Sequence, residues 1–127
     1  MNKRAYDILR VGLGITFIWV GVLIYRDPLG WAGYIQPWAL KFIPGSLETT
    51  MIQTGIWDIA FGLLMLFRPT VWLGALLGAM HLVVVLVTAG ITEVTVRDIG
   101  LLFAAVALLV ESFPENWIDK LKGIVRR

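Results

Sequence analysis

The sequence predicts an all-α integral membrane protein, a four-helix bundle with both termini in the cytoplasm. Its mean hydropathy is +0.80, 58% of its residues are hydrophobic and only 16% are charged, whereas about 25% are charged in typical soluble domains. Four long apolar segments cover residues 11–25, 51–67, 71–89 and 99–110. A soluble bundle would need a charged stripe on each helix, and the first three segments contain none.

The four segments predict helices over about residues 6–25, 50–67, 70–89 and 94–113, within a single domain that covers residues 1–127. A spanning helix needs about 20 predominantly apolar residues. The first segment reaches this length if Arg10 snorkels from its edge to the interface. The fourth has to begin near Val94, which places Arg97 and Asp98 just inside the outer boundary. Residues 116–127 predict an amphipathic basic tail on the inner surface.

The distribution of lysine and arginine predicts the orientation, because cytoplasmic loops carry more of both. With the termini on one side, that side holds eight of these residues, and the other side holds Arg26, Lys41 and Arg97. We therefore expect a multi-pass protein of a prokaryotic inner or plasma membrane. The small basic excess is explained by topology, so no nucleic-acid partner is predicted. Arg26-Asp27-Pro28 follows the first apolar run in place of a cleavage site, so we expect that run to be a retained helix.

The long connection over residues 27–49 is predicted to lie on the outer side of the membrane. Three prolines and three glycines interrupt it, so no continuous helix runs through it. Aromatic rings nevertheless recur at near-helical spacing, and such rings favour the headgroup region: Trp31, Tyr34, Trp38 and Phe42. We interpret the segment as an interfacial aromatic loop, and the alternative is a lid over a cavity between the helices.

Two ionisable residues, Asp58 and His81, lie in the middle of consecutive apolar segments that only residues 68–70 separate. At about 1.5 Å per helical residue, both lie roughly 15 Å from this turn. An ionisable group at the bilayer midplane costs about 2.5–3.5 kcal/mol on insertion scales, so it normally faces a partner or a ligand. We expect the two side chains to contact each other directly or through one water molecule.

Two interpretations of this pair stay open. It holds the helices in register, or it carries protons and binds a ligand in a central cavity. A coupled pair can share one proton near neutral pH, which suits proton exchange with a quinone. The chain has one histidine and no cysteine, which is too few ligands to predict a metal site.

The riskier prediction is a ligand pocket that opens toward the outer leaflet. Its apolar walls would be Trp19, Trp57 and the neighbouring Gln53, with Asp58 and His81 as its floor. Arg97 or Trp38 would lie near its mouth, and the alternative for Arg97 is outward snorkelling. Asp98 is a further ligand candidate, although its position three residues after Thr95 is also typical of helix capping.

Residues Arg10, Leu13, Gly14, Phe17 and Gly21 of the first helix follow the pattern R-x2-L-G-x2-F-x3-G. This pattern resembles the opening of the DoxX family of small four-helix membrane proteins. The second helix places Asp58 between Gly55 and Gly62, where the family usually has glutamate, and Arg97-Asp98-Ile99 opens the fourth. The resemblance covers about residues 8–113.

The resemblance implies a redox-associated accessory subunit that binds a quinone-like small molecule and works with a redox partner protein. Some relatives in the family are described as subunits of a thiosulfate:quinone oxidoreductase. This chain contains no G-x-G-x-x-G motif, P-loop or heme-binding cysteine pair. We therefore expect at most a subunit of an enzyme, with no covalent cofactor. The alternative is a non-catalytic protein that binds lipid or small molecules or acts as a scaffold, and a homo-oligomer stays open in both cases.

Overall fold

The computed structural model describes residues 1–126, and all of the regular secondary structure in this range is helical. One 3₁₀ turn, Arg68–Thr70, accompanies the α-helices, which are α1 (Lys3–Arg26), α2 (Pro28–Ala32), α3 (Pro37–Leu40), α4 (Leu47–Leu66), α5 (Val71–Ala89), α6 (Val96–Ser112) and α7 (Glu115–Val125). The predicted all-α class is confirmed.

Three helical stretches are long and apolar enough to cross a membrane: Lys3–Arg26, Leu47–Leu66 and Arg68–Ala89. The third includes the 3₁₀ turn that leads into α5. Helix α6 has 17 residues, at the short end of the range for a spanning helix. It begins at Val96, two residues later than the sequence predicts. Because this makes it shorter, it is not among the three helical stretches that are long enough to cross a membrane.

Local signals explain where the long helices begin and end. The side chains of Asn2 and Ser46 accept hydrogen bonds from backbone N–H groups in the first turns of α1 and α4, which is the usual N-cap interaction. Helix α5 ends at Gly90, whose φ of 72° lies in the left-handed region that glycine adopts without a steric penalty.

The long helices pack in chain order: α1 against α4, α4 against α5, and α5 against α6, which also contacts α1. Their shared apolar core includes Phe17 of α1, Met65 of α4, Ala75 of α5 and Leu108 of α6. Since residues from all four helices fill one core, the centre of the molecule is the place where their polar side chains can meet.

Glycines let α1 and α4 approach closely. A Cβ atom at Gly55 would lie 2.8 Å from the carbonyl oxygen of Gly21, and one at Gly62 would lie 2.5 Å from that of Gly14. Both separations are shorter than ordinary van der Waals contact, and both opposing atoms are backbone. Small residues of this kind allow close helix contact in membranes.

Residues 27–49 contain the short helices α2 and α3 and expose much of their aromatic surface, as an interfacial loop would. The rings of Trp38 and Phe42 meet edge to face with centroids 6.4 Å apart. Gln36 ties this loop to the end of α5: its backbone N–H donates to Thr88 O at 2.9 Å, and its side chain donates to Ala89 O. The loop is therefore fastened to the C-terminal end of α5.

Arg10 does not snorkel to the interface as the sequence predicts. It is buried and donates to the carbonyl oxygens of Met65 and Leu66, at 3.3 Å and 2.6 Å, and to the carboxylate of Asp7. The last carbonyls of a helix lack partners within it, and a guanidinium can donate to several acceptors in one plane. Arg10 therefore caps the C-terminal end of α4 from the neighbouring helix.

Thr95 precedes α6 as predicted, but its hydroxyl does not cap that helix. It donates to Gly90 O and accepts from the backbone N–H of Thr92. The hydroxyl thus closes the turn between α5 and α6. The predicted capping interaction between Asp98 and Thr95 does not involve their side chains. The backbone N–H of Asp98 donates to Thr95 O instead.

Candidate functional site

Asp58 of α4 and His81 of α5 meet between their helices. The imidazole Nε2 lies 3.1 Å from the carboxylate Oδ1, so the predicted contact between the two side chains is confirmed. The short turn at Arg68–Thr70 makes α4 and α5 antiparallel neighbours, and the nearly equal distance of each residue from that turn brings them to one level.

This contact leaves one oxygen of the carboxylate without a hydrogen bond. Asp58 is only 4% exposed, and its Oδ1 has no hydrogen-bond partner among the described residues. The 3.1 Å separation of Nε2 and Oδ1 is therefore a close polar contact and not a hydrogen bond. An unsatisfied buried acceptor costs about 1–3 kcal/mol, so this atom is where a donor from a bound molecule would gain most.

Aromatic rings connect the pair to the surface of the protein. The ring of Phe61 lies 6.0 Å from the imidazole of His81, and the indole of Trp57 stacks on Phe61 at 6.0 Å. The side chain of His81 is 20% exposed. The pair is thus shielded but reachable from one side, next to flat apolar groups.

A second carboxylate, Asp98, lies in the first turn of α6 and is only partly exposed. No hydrogen bond or ion pair joins it to Asp58 or His81 among residues 1–126, so its part in the site stays a prediction.

The predicted walls of the pocket lie elsewhere. Trp19 is 67% exposed and Trp57 is 59% exposed, and Gln53 is exposed beside them on α4. These side chains therefore do not enclose a cavity between the helices, and the pocket opening toward the outer leaflet stays a prediction. Trp19 and Trp57 each lie two residues from a glycine at the α1–α4 contact. A separation of two residues is a rotation of about 200° on a helix, so both indoles point away from this contact and lie on the surface of the bundle.

The two candidates for the mouth of the pocket lie at the end of the molecule that holds the C-terminus of α5 and the beginning of α6. Arg97 is exposed, as expected for an arginine that snorkels outward. The indole N–H of Trp38 donates to the side-chain oxygen of Gln36 at 2.7 Å. Trp38 thereby supports the residue that ties the outer loop to α5, and its link to the Asp58–His81 pair stays a prediction.

Among residues 1–126, no group of three or more histidine, cysteine, aspartate or glutamate side chains could hold a metal ion. The candidate site consists of one imidazole, one carboxylate and two aromatic rings. It is suited to hydrogen bonding and proton transfer with an organic headgroup.

Sequence reasoning missed Phe61 at the site, and it missed the role of Arg10 at the end of α4. Phe61 follows Asp58 by three positions and Trp57 by four, so helical spacing places it on the face that they share. Arg10 has no comparable signal, because the carbonyls that it binds lie 55 and 56 positions away in the chain.

Comparison of the chain with protein-family models, curated proteins and solved structures gave no match. The likeness to the DoxX family therefore stays a prediction from the motif residues, and the geometry of the site is the basis for assigning a function.

Proposed function

We propose that this chain is a multi-pass protein of a prokaryotic inner or plasma membrane. Helices α1, α4, α5 and α6 would cross the bilayer, and both termini would lie in the cytoplasm. Three long apolar helices support the proposal, together with the excess of lysine and arginine at one end. Helix α6 completes an even number of crossings, which its packing against α5 and α1 supports.

Reporter fusions test this topology. Fusions at the N-terminus, at the C-terminus and within residues 27–49 should report the cytoplasm for both termini and the opposite side for the loop. If the loop and the C-terminus report the same side, α6 does not cross and the four-span proposal is wrong.

Within this membrane protein, the Asp58–His81 pair is proposed to bind a quinone-like headgroup. The observation that carries the proposal is the buried Asp58 Oδ1 without a hydrogen-bond partner, next to a histidine that is still partly exposed. A quinol hydroxyl could donate to Oδ1. A quinone carbonyl could accept from His81 Nε2 or from protonated Asp58.

The headgroup would arrive sideways from the lipid. Trp57 and Phe61 form a flat apolar surface that ends at His81, and aromatic faces of this kind stack on planar rings. This route replaces the enclosed pocket, and Asp98 would add a proton-accepting group near the pair. A separate redox protein would supply or accept the electrons, since the chain has no recognisable motif for a redox cofactor.

The test combines two measurements on the protein purified in mild detergent. Analysis of the lipid extract should find a quinone that copurifies with the protein. A short-chain ubiquinone or menaquinone analogue should raise the melting temperature of the wild type. Asp58→Asn and His81→Gln should each remove most of that rise, whereas Asp119→Asn, at an exposed acid, should retain it.

Each comparison is made with the variant's own melting temperature without quinone, which separates lost binding from lost stability. A wild-type protein that neither carries quinone nor responds to the analogues would contradict the quinone proposal.

The second candidate function is a non-catalytic protein that acts as a scaffold or carries a lipid or other small molecule. The 3.1 Å contact between His81 and Asp58 favours it, because the two groups already partner each other without a guest. In that case the two substitutions change stability but no ligand response, and the lipid extract contains ordinary phospholipid or an unrelated small molecule.

A further inference from the structure

Helix α7 presents an apolar side that the rest of the described chain covers only at its first turn. At about 100° per residue, its apolar side chains fall within an arc of about 120° and comprise Trp117, Ile118, Leu121, Ile124 and Val125. Leu121, Ile124 and Val125 are largely exposed. The helix thus has a continuous apolar stripe along its three turns.

The charges of α7 are arranged around this stripe in a definite way. Lys120 and Lys122 lie about 40° beyond its two edges, Glu115 lies about 60° beyond one of them, and Asp119 lies near the middle of the opposite side. Lysines at the edges can bury their methylene chains in the apolar layer and extend their ammonium groups to the phosphates. Asp119 on the far side would face water.

The chain places α7 at the end of α6, where that helix leaves the core. Only Phe113 and Pro114 separate the two helices, so α7 begins within about 10 Å of the end of α6. An aromatic cluster holds the first turn of α7: the ring of Trp117 lies 5.4 Å from that of Trp72 of α5 and 6.1 Å from that of Phe113. Indole rings of this kind prefer the headgroup region of a membrane.

From these observations we infer that α7 lies flat on the membrane surface and binds anionic phospholipid. Its apolar stripe would enter the boundary between headgroups and acyl chains, to a depth of about 5–10 Å, and Lys120 and Lys122 would pair with lipid phosphates. The occupant is the leaflet at which α6 ends. Charge complementarity selects an anionic leaflet, because both lysines lie next to the apolar stripe, whereas Asp119 points away from it and Glu115 lies farther from its edge than either lysine.

The position of α7 is testable with single spin labels, because the chain contains no cysteine that would compete for the reagent. Leu121→Cys lies at the centre of the apolar stripe. Gly123→Cys lies about 200° from it, at a position with no neighbouring atoms to disturb. The full-length protein carrying either label is reconstituted in phosphatidylcholine vesicles with and without phosphatidylglycerol.

The Leu121→Cys label should be accessible to oxygen and shielded from a water-soluble nickel complex, and the Gly123→Cys label should show the reverse. Nickel access at both positions would overturn the proposal in favour of a solvated tail. A Leu121→Cys label shielded from both reagents would overturn it in favour of a protein partner, either a second copy of this chain or another protein.

The lysines test the selection of anionic lipid. In vesicles with phosphatidylglycerol, Lys120→Gln and Lys122→Gln should each lower the ratio of docked to undocked label about fivefold. In pure phosphatidylcholine they should have little effect. Arg126→Gln, near the middle of the polar side, is the matched control and should have a smaller effect in both. Equal losses in both kinds of vesicle would show that α7 does not select anionic lipid.

Discussion

The two sides of α4 differ in how they meet their neighbours. Toward α1, glycines bring the backbones into contact at two levels, Gly55 with Gly21 and Gly62 with Gly14, and Arg10 satisfies the last carbonyls of the helix. Toward α5, a glycine allows close contact only near the turn that joins the two helices, where Gly74 packs against α4. The middle of this contact holds the Asp58–His81 pair.

Two buried charged side chains illustrate the difference. Arg10 and Asp58 are buried to a similar degree. Arg10 donates to three partners, whereas Asp58 keeps an oxygen without a hydrogen bond. Buried polar groups are normally satisfied, and an exception calls for an explanation. We infer that the α1 side of α4 maintains the structure and that the α5 side retains capacity for a ligand.

The largest effect is expected from Arg10→Gln. The shorter amide cannot reach both carbonyl oxygens, so buried acceptors at the end of α4 lose their donor. The free energy of unfolding in mixed micelles should fall by about 2–4 kcal/mol. Arg26→Gln, at the exposed end of the same helix, should change it by no more than about 0.5 kcal/mol. Equal effects of the two substitutions would show that the hydrogen bonds of Arg10 to the end of α4 do not stabilise the protein.

Gly55→Ala should have the next largest effect, because its new methyl group would meet the backbone oxygen of Gly21 at 2.8 Å. Overpacking of this kind costs about 1–3 kcal/mol. Gly12→Ala is the matched control on α1, where a Cβ atom would meet nothing within 4 Å. It should be neutral or stabilise by up to about 1 kcal/mol. A tolerated Gly55→Ala would mean that α1 and α4 are not held by close backbone contact.

A double-mutant cycle measures the α5 side of α4. Asp58→Asn and His81→Gln should show a coupling energy of about 0.5–2 kcal/mol, the range for side chains in contact. Asp58→Asn combined with Lys41→Gln, at a distant exposed site, should be additive within about 0.5 kcal/mol. Strict additivity for Asp58 and His81 would show that their proximity contributes no stability.

The smallest effect is expected at the surface that neither neighbour of α4 covers. Trp19→Leu should change the free energy of unfolding by less than about 0.5 kcal/mol, because the indole faces outward and lipid or detergent replaces it. Phe17→Leu, two residues earlier and buried against Gly78, should cost about 1 kcal/mol or more. A large loss for Trp19→Leu would indicate that another protein covers this surface.

Much of the fold could be predicted from the chain alone. Helices predicted over residues 50–67 and 70–89 appear as Leu47–Leu66 and Val71–Ala89, because long apolar runs bounded by polar residues and proline leave little choice of boundary. The contact of Asp58 with His81 was predictable from the positions of the two residues relative to the turn between their helices. Two residues at equal distances from a short turn reach one level in any antiparallel pair of helices.

The directions of the large side chains could not be predicted in the same way. A segment that is apolar on every side has no polar face to mark its outside, so Trp19 and Trp57 had no periodic signal to place them. The close glycine contacts between α1 and α4 decided that both indoles face outward. The same contacts brought Arg10 to the end of α4, through acceptors far away in the chain.

The sequence by itself determined that this protein is helical, that it has long apolar segments able to span a membrane, and that one acid and one imidazole lie at the same depth. These properties follow from hydropathy, spacing and the rise of a helix, which are local. Only the tertiary structure decided which oxygen of Asp58 lacks a partner and which rings surround His81. Those properties depend on the rotation of each helix about its axis, and contacts between distant residues determine that rotation.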